Sequence, residues 1–349
     1  MFEIMAAKNF LKQGMYSSGA IGLFHKIKNR KNLTVVMFHR VLSISDPRWQ
    51  GCDLEWSIPD AIFEQCIIFF KKFYNIISLE VLLSSYNKKG AVLPLCPLLI
   101  TFDDGWADNE EYAFPILQKH KVPATIFLAS RAIDQQSPFW EERLYAGWKT
   151  KRLHFELLNN LFEIFPPLNP KSEEGIRRFI DSLKKLPPEK KNRLLSELLD
   201  LLPFSPHTEM LTTSKVLALI KAGITIGSHG ASHNPLPQVQ DPKTEFSESI
   251  QCVQKFLKEA GDSDENICFS FPHGIYNDRI IEMAYQSGYQ LLFTSDPYLI
   301  PLRKERLRTR LLGRISIPYR VVTDREGDFS APMLAFWLVN RSSKQMRLK

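Results

Sequence analysis

The order of apolar and polar positions along the chain predicts alternating strands and helices. Short apolar runs that are typical of buried parallel strands lie at 33–38, 98–102, 124–128, 224–227, 267–271, 289–293 and 311–317. Apolar residues at helical spacing follow several of these runs, most clearly at 109–120, 215–222, 241–260 and 278–287. The strand–helix repeat favours an α/β fold. Polar residues at the strand ends favour a closed or nearly closed barrel over a flat sheet.

Between about 131 and 213 the pattern changes to helices alone. Aromatic residues occur at helical spacing over 139–148, and we predict helices at 153–162, 173–186 and 189–202. We interpret these aromatic residues as core, and a rim that stacks on sugar faces is the alternative. The predicted organisation is a helical, basic extension at 1–32, a barrel at 33–130 and 214–320, a helical insertion at 131–213 and a basic tail at 321–349.

Composition narrows the class of partner. The 349 residues are 44% hydrophobic, enough for a large core, and the net charge is +7. Basic residues cluster at 26–31, 303–310 and 341–349 without the concentration that indicates nucleic acid, so we expect no nucleic-acid partner. Such clusters are usually solvated surface. Peripheral contact with anionic lipid headgroups, or with an acidic glycan, is the alternative.

The cysteines and the lack of long apolar runs bear on location. The five cysteines are scattered and form no CxxC pair, which indicates a reducing compartment or buried free thiols. No apolar run approaches the ~20 residues of a membrane span, and no secretory apolar region stands out at the N-terminus. We predict a cytoplasmic protein that is at most peripheral to a membrane.

Two adjacent carboxylates, Asp103 and Asp104, stand where the apolar run at 98–102 ends. Along a regular strand they would point to opposite faces, but Gly105 permits a sharp turn that lets both reach one pocket. The C-terminal ends of parallel strands are where α/β folds place their sites. A solvated Asp-Asp-Gly turn is the alternative.

Two histidines, His229 and His233, follow the apolar run at 224–227. On a helical turn, a spacing of four would put both imidazoles on one side, close enough to share a metal ion. One carboxylate of Asp103 and Asp104 would complete a two-histidine, one-carboxylate site. The other would deprotonate a water whose pKa the metal lowers towards about 7.

These segments carry a resemblance to a known family. TFDDG at 101–105 and SHGASH at 228–233 resemble the first two motifs of the polysaccharide deacetylases, the chitooligosaccharide-deacetylase (NodB) homology domain of carbohydrate esterase family four. FPHGIYN at 271–277 resembles the third motif. VMFHRV at 36–41 resembles the N-terminal motif of the permuted branch of that family.

The resemblance implies a distorted (β/α) barrel and metal-dependent hydrolysis of an N-acetyl group on a sugar. By position, Asp103 would be the general base, and Asp104, His229 and His233 would be the metal ligands. The implied metal is most often zinc, with nickel, cobalt or manganese as alternatives. The third motif, Pro272-His273, would supply a backbone N–H to the oxyanion. We expect Trp106, just after the first motif, to shape the substrate pocket.

The chain departs from the family pattern in three places. His273 stands where an aromatic residue is usual. Ser270 and Phe271 occupy the region where the family has an arginine that orients the base, and we predict that Arg314 takes this role; a buried structural ion pair is the alternative. No Leu-x-His segment follows Arg314, so we predict that His39 is the general acid, for which an imidazole pKa is suited.

The sequence therefore predicts a metal-dependent deacetylase. Its partner would be an N-acetylated glycan of a surface polysaccharide, or a lipid- or nucleotide-linked sugar precursor of it. Amide hydrolysis of a small non-sugar substrate and a non-catalytic carbohydrate-binding module are the alternatives. Loss of a ligand or of Asp103 would have favoured the binding module.

Overall fold

The computed structural model describes residues 14, 16–86, 92–135, 139–151, 172–200, 202, 209–262, 266–304, 307–339 and 341. Its strands are β1 (Asn32–Phe38), β2 (Arg40–Leu42), β3 (Ser57–Pro59), β4 (Asn75–Ile76), β5 (Pro97–Phe102), β6 (Thr125–Leu128), β7 (Thr225–Ser228), β8 (Phe269–Ser270), β9 (Leu292–Phe293), β10 (Ile300–Pro301), β11 (Leu311–Leu312) and β12 (Ile315–Ser316).

Helices lie between most of these strands. They are α1 (Ala20–Asn29), α2 (Asp60–Phe73), α3 (Leu79–Tyr86), α4 (Phe114–His120), α5 (Trp140–Lys149), α6 (Glu173–Lys184), α7 (Pro188–Asp200), α8 (Thr213–Lys221), α9 (Pro242–Ala260), α10 (Asp278–Gln286), α11 (Tyr319–Val322) and α12 (Ala331–Val339). A short π-helical turn precedes α4. The predicted helix at 153–162 lies outside the described residues.

The main sheet curls into a nearly closed barrel. Its strands are neighbours in the order β10, β1, β5, β6, β7, β8, β9, β11, and all these pairs are parallel except β10 with β1. β11 pairs with β9 while β12 pairs with β1, so the segment 311–316 joins the two edges. The prediction of a distorted (β/α) barrel is confirmed, whereas the prediction of one continuous last strand at 311–317 is wrong.

The crossing from β11 to β12 occurs at Gly313 and Arg314. A Cβ at Gly313 would stand 2.5 Å from the carbonyl oxygen of Asp296, so the close approach of the two backbones requires glycine here. This crossing turns Arg314 into the barrel, where its guanidinium lies 5.6 Å from the centre of the Phe127 ring. The closure of the barrel thus positions a buried cation above the interior core.

Two apolar layers hold the barrel together. The inner cluster includes Leu33, Val35, Leu99, Phe127 and Phe293, and the outer cluster packs alternate residues of the same strands against the helices. Because strand side chains alternate between faces, Leu99, Thr101 and Asp103 share the interior face of β5. A strand buried on both sides therefore delivers its terminal carboxylate to the top of the inner core.

The helical insertion has an apolar core of its own. Its described helices α5, α6 and α7 pack around Leu144, Tyr145, Ile176, Phe179, Ile180, Leu183, Leu194, Leu195, Leu198 and Leu202. Glu173 joins α6 to the barrel by accepting from Arg320 at 2.6 Å, and Arg177 pairs with Asp53. Tyr145 is buried, in agreement with the interpretation of the insertion's aromatic residues as core, but Phe139 and Tyr145 also line the cavity described below.

One predicted region differs from the structure. The segment 321–349, predicted as a basic tail, contains α12, which buries Leu334, Ala335 and Leu338 against α1 and α2. Apolar burial makes the residues of α12 part of the fold rather than of a tail.

Across the described parts of the chain, no helix has the length and apolar character that crossing a bilayer requires.

A buried histidine makes the packing of α1 depend on pH. His25 Nδ1 lies 2.8 Å from the Tyr74 hydroxyl and Nε2 lies 2.9 Å from the Ala335 carbonyl, and burial lowers the pKa of His25 from 6.5 to about 4. Between these pH values the unfolded chain binds a proton that the folded chain does not, so stability falls as pH drops. The full effect of this lowered pKa is about 3 kcal/mol.

We expect His25→Leu to flatten this part of the stability profile. Chemical denaturation of the wild type and the variant near neutral pH and near the pKa of about 4 checks the slope, not the absolute stability, because the variant also loses two hydrogen bonds. Equal slopes in both proteins would contradict this assignment.

Candidate metal centre and active site

The two carboxylates sit in a tight turn at the end of β5. Asp104 and Gly105 both have left-handed backbone conformations, with φ of 78° and 86°. A Cβ at Gly105 would lie 3.0 Å from Leu128 Cδ2. Both the left-handed backbone and this close contact therefore favour glycine at position 105. The predicted sharp turn is present, and both Asp103 and Asp104 line one cavity.

Three predicted ligands converge on one point. Asp104 Oδ1 lies 3.3 Å from His229 Nε2 and 3.2 Å from His233 Nε2, and the three ligand atoms all lie within 4.8 Å of one another. Ligand atoms of a tetrahedral zinc ion, each about 2.0–2.1 Å from the metal, stand roughly 3.3 Å apart. The spacing therefore fits a single divalent cation.

The protonation pattern supports the same fit. His229 Nδ1 lies 2.9 Å from the carbonyl oxygen of Ser270, which can only accept, so Nδ1 carries the proton and Nε2 presents a lone pair in the neutral ring. Asp104 Oδ1 is buried and has no hydrogen-bond donor among the described residues. A buried anionic oxygen that faces imidazole nitrogens is costly alone, and a bound cation would satisfy it.

The histidines lie on a loop rather than on a helical turn. β7 ends at Ser228, and His233 has a left-handed φ of 60°. The buried Glu245 carboxylate holds the loop by accepting from the N–H groups of Ala231 at 3.0 Å and Ser232 at 2.9 Å. The helical geometry that we assumed for the spacing of four is wrong, although the convergence that it predicted is present.

Asp103 is clamped by Arg314. Two parallel hydrogen bonds of 2.7 and 2.6 Å join the guanidinium to the carboxylate, and Ser270 Oγ donates to Asp103 Oδ2 at 3.2 Å. Burial raises the pKa of Asp103, but the charge and hydrogen bonds of Arg314, together with the nearby His229 and His39, outweigh burial and the net shift is downward. Asp103 is therefore an ionised carboxylate that lies 3.9 Å from His229 Nε2.

Trp106 contacts the candidate metal ligand Asp104. Its indole N–H donates to Asp104 Oδ2 at 2.9 Å, and only 1% of its surface is exposed. The Arg40 guanidinium stacks 4.2 Å from the Trp106 ring centre and pairs with Asp108 at 2.8 Å and Glu209 at 2.7 Å. Trp106 was expected to shape the pocket, and the structure places it where it also fixes the orientation of Asp104.

Comparison with known proteins identifies the family. A family model described as polysaccharide deacetylase matches residues 96–292, more than half of the chain. The chain belongs to the polysaccharide deacetylase family. YxkH of Bacillus subtilis (strain 168), a polysaccharide deacetylase by name, is 43% identical over 202 residues, which cover 57% of this chain and 45% of YxkH. The chain thus spans less than half the length of this curated relative.

Solved deacetylase structures share the fold. The Streptococcus pyogenes deacetylase PplD in complex with acetate has a TM-score of 0.52 at 17% identity, with 83% of this chain and 94% of that chain covered. IcaB from Ammonifex degensii has a TM-score of 0.51 at 17% identity, with 88% and 97% covered. At this level of identity the likeness concerns the fold alone.

A cavity of about 380 Å³ opens above the polysaccharide deacetylase motifs. Its barrel side includes Asp103, Asp104, His229 and His233, together with His39 at the end of β1. The His39 ring lies 4.7 Å from the Trp56 ring, and burial lowers the pKa of His39 despite the nearby carboxylates. The structure thus brings the predicted acid and the predicted base into the same cavity.

The third motif forms one wall of this cavity. Pro272 is buried at the start of a short 3-10 turn, and His273 follows with a left-handed φ of 57°. His273 Nε2 lies 3.0 Å from the His233 carbonyl oxygen, and burial together with the neighbouring positive groups holds the pKa of His273 well below its usual range. The His273 side chain therefore packs beside the loop that carries His229 and His233.

Residues of the insertion also line the cavity and contact the histidines. Phe139 stacks on His233 with ring centres 4.3 Å apart, and Lys184 Nζ lies 3.4 Å from His273 Nδ1. Glu142 also lines the cavity, where burial and the neighbouring carboxylates raise its pKa to about 8. Sequence reasoning missed Arg40, Glu209 and Glu245, because ion pairs between distant segments leave no local pattern.

Proposed function

We propose that this chain is a divalent-metal-dependent hydrolase that removes N-acetyl groups from amino sugars of a surface polysaccharide or its precursor. The observation that carries the proposal is the convergence of Asp104, His229 and His233 on one point, with the ionised Asp103 beside it. Membership of the polysaccharide deacetylase family supports the acyl group and the sugar. Zinc is the proposed metal because the donor set and its spacing suit four-coordinate zinc.

The proposed reaction divides the work among the chain's own groups. A metal held by Asp104, His229 and His233 would polarise the acetyl carbonyl and acidify the attacking water. Asp103, fixed by Arg314, takes a proton from that water while the water oxygen forms a bond to the carbonyl carbon. His39 gives a proton to the nitrogen as the C–N bond breaks, and acetate and an amine result. The backbone N–H of His273 is the proposed oxyanion donor.

The burial of His39 constrains this scheme. Because the pKa of His39 is lowered, its imidazole is neutral at rest near pH 7 and must gain a proton before it can act as the acid. We infer that the proton taken by Asp103 reaches His39 through the substrate and water in the shared cavity. Both groups line that cavity, and no other contact between them is needed.

Acetate release from N-acetylated oligosaccharides tests the proposal. The purified chain should contain a divalent metal, and release should stop on chelation and return when zinc, nickel, cobalt or manganese is added. Asp103→Asn should keep the metal and lose most of the activity, since it removes only the base. A metal-free protein that still binds these glycans would instead favour a carbohydrate-binding module.

His39→Gln tests the assignment of the acid. We expect the variant to lose rate by roughly 10²–10⁴-fold, because no group remains to protonate the leaving nitrogen. Substrates with a better leaving group than an amine, such as acetyl esters, should recover much of that loss. An equal loss of rate with amide and ester substrates in His39→Gln would count against the role of His39.

The covering insertion bears on the size of the substrate. Phe139, Lys184 and Glu142 close over the same cavity as the ligands, and Glu142 with its raised pKa is a hydrogen-bond donor at neutral pH. We propose that the site takes a terminal or single amino sugar, as in a precursor, rather than the middle of a long chain. A panel of oligosaccharides of increasing length, with each deacetylated position mapped by mass spectrometry, distinguishes these possibilities. Deacetylation at internal sugars would contradict the proposal.

A further inference from the structure

Helix α1 has its polar side buried and its apolar side exposed. His25 and Asn29, one helical turn apart, are each 1% exposed. Asn29 donates to the Tyr74 hydroxyl at 2.9 Å, and His25 contacts both that hydroxyl and the Ala335 carbonyl oxygen. These hydrogen bonds fix the rotation of α1 about its axis, because a buried polar group that loses its partner is costly.

With this rotation fixed, Leu23, Phe24 and Ile27 point outward. Leu23 is 61% exposed, Phe24 is 47% exposed and Ile27 is 66% exposed. Leu23 and Ile27 are four apart and Phe24 lies beside them, so the three form one strip. Single exposed apolar residues are ordinary on a protein surface, but a strip on a helix whose polar side is buried calls for a partner.

A groove with basic walls continues this strip. It has a volume of about 520 Å³ and combines apolar residues with cations. Ile27, Phe73 and Leu95 supply apolar surface, and Arg30, Lys71 and Lys72 supply charge. Among the described residues, no acidic side chain lines the groove. Within the described residues, Arg30 and Lys72 have no carboxylate within salt-bridge distance. This surface thus combines exposed apolar side chains with positive charges that no nearby carboxylate of the described residues neutralises.

The described end of the chain contacts α1. The ammonium group of Lys28 donates to the carbonyl oxygen of Arg341 at 2.7 Å and to that of Val339. Arg341 therefore lies beside Lys28, a member of the basic cluster at 26–31. Cations gathered together attract an anionic surface more strongly than scattered ones do.

We propose that the α1 strip (Leu23, Phe24 and Ile27) and the adjoining basic groove dock on an anionic lipid bilayer. The apolar side chains would enter the interface between headgroups and acyl chains, and Arg30, Lys71 and Lys72 would contact the phosphates. The groove adjoins Asn75 and Cys96, at the N-terminal ends of β4 and β5, whereas the catalytic cavity lies at the C-terminal end of β5. Docking in this way leaves the mouth of the catalytic cavity open to the glycan.

Vesicle sedimentation of the full chain tests this proposal. We expect binding to mixed phosphatidylcholine–phosphatidylglycerol vesicles, little binding to phosphatidylcholine alone, and weaker binding at high salt. Leu23→Ser with Ile27→Ser should reduce binding at least about tenfold, since it removes the inserted side chains. Arg30→Gln with Lys72→Gln should reduce it by roughly fivefold per charge, or about 25-fold.

Matched control variants distinguish binding through this surface from nonspecific binding to vesicles. Ile44→Ser changes an equally exposed apolar residue, at 68%, and Arg193→Gln changes an exposed cation, so both should bind as the wild type does. Acetate release from a water-soluble substrate should be unchanged in every variant, which shows that the chain is folded and that the active site is independent.

Several results would overturn the proposal. The first is that the wild type does not bind the mixed vesicles. The second is that the double variant Leu23→Ser with Ile27→Ser binds them as strongly as the wild type does. If a chain lacking residues 1–13 binds while the full chain does not, that segment is the occupant of the strip. If the double serine variant instead abolishes self-association without any vesicle binding, the occupant is a second copy.

Discussion

Asp104→Ala is expected to abolish metal binding and acetate release together. Asp104 Oδ1 is the anionic donor of the proposed centre, since the charge of Asp103 is already paired with Arg314. Two neutral imidazoles alone bind a divalent cation weakly, so the loss should exceed the roughly 10–100-fold that follows mutation of an outer-shell partner. Metal content by mass spectrometry and acetate release on the same sample measure both effects.

Two variants bracket this result. Trp106→Phe keeps the ring that Arg40 stacks on but removes the hydrogen bond to Asp104 Oδ2, and should weaken metal affinity by about 10–100-fold. Asp53→Asn changes a carboxylate that lines the same cavity without belonging to the ligand set, and should leave metal content unchanged. Metal retained by Asp104→Ala at the wild-type level would exclude Asp104 as a ligand and would remove the main support for the proposed reaction.

The parts of the site that the sequence revealed are those with a local signal. Asp103 and Asp104 follow an apolar run and precede a glycine, and His229 and His233 follow another such run, so each pair could be placed at a strand end. Parallel strands deliver their ends to one edge, and this rule brings together segments more than a hundred positions apart. The ligand set therefore followed from strand ends even though the assumed helical turn at the histidines was wrong.

Other features had no local signal. Arg40, Glu209 and Glu245 act on loops that are distant in sequence, and each resembles an ordinary charged residue until the loops meet. The closure of the barrel depends on strands of two residues, too short for any periodicity, and on backbone contact at Gly313. In the insertion, the pattern predicted helices α6 and α7, but it carried no signal that Lys184 lines the cavity.

The rotation of α1 about its axis is another feature that the sequence pattern alone does not predict. Its apolar positions predict which side should be buried, and the structure buries the other side. A strong set of hydrogen bonds from His25 and Asn29 to Tyr74 and Ala335 overrides the preference of the apolar residues. Periodicity identifies a helix and its faces, while its rotation depends on partners elsewhere in the chain.

Arg314→Met is the prediction with the largest expected effect on folding. Arg314 is fully buried and forms a bidentate pair with Asp103, so the variant leaves an unpaired carboxylate in the interior. Breaking a buried pair from one side costs about 3–5 kcal/mol of unfolding free energy, measurable by chemical denaturation. Asp103→Asn with Arg314→Met removes both charges, so its cost should be well below the sum of the two single costs.

The kinetics of the same variants decide whether Arg314 orients the base or only fills the interior. The Arg314 charge holds the pKa of Asp103 down, so without it the pKa rises and the base is protonated over a wider range. The rise in rate with pH should therefore begin at higher pH in Arg314→Met. Arg314→Lys should keep part of this effect, because lysine retains the charge but not the two parallel hydrogen bonds. If Arg314→Met is less stable but has an unshifted profile and an unchanged rate, the pair is structural, and the orientation of Asp103 depends on Ser270 and the turn at Asp104 instead.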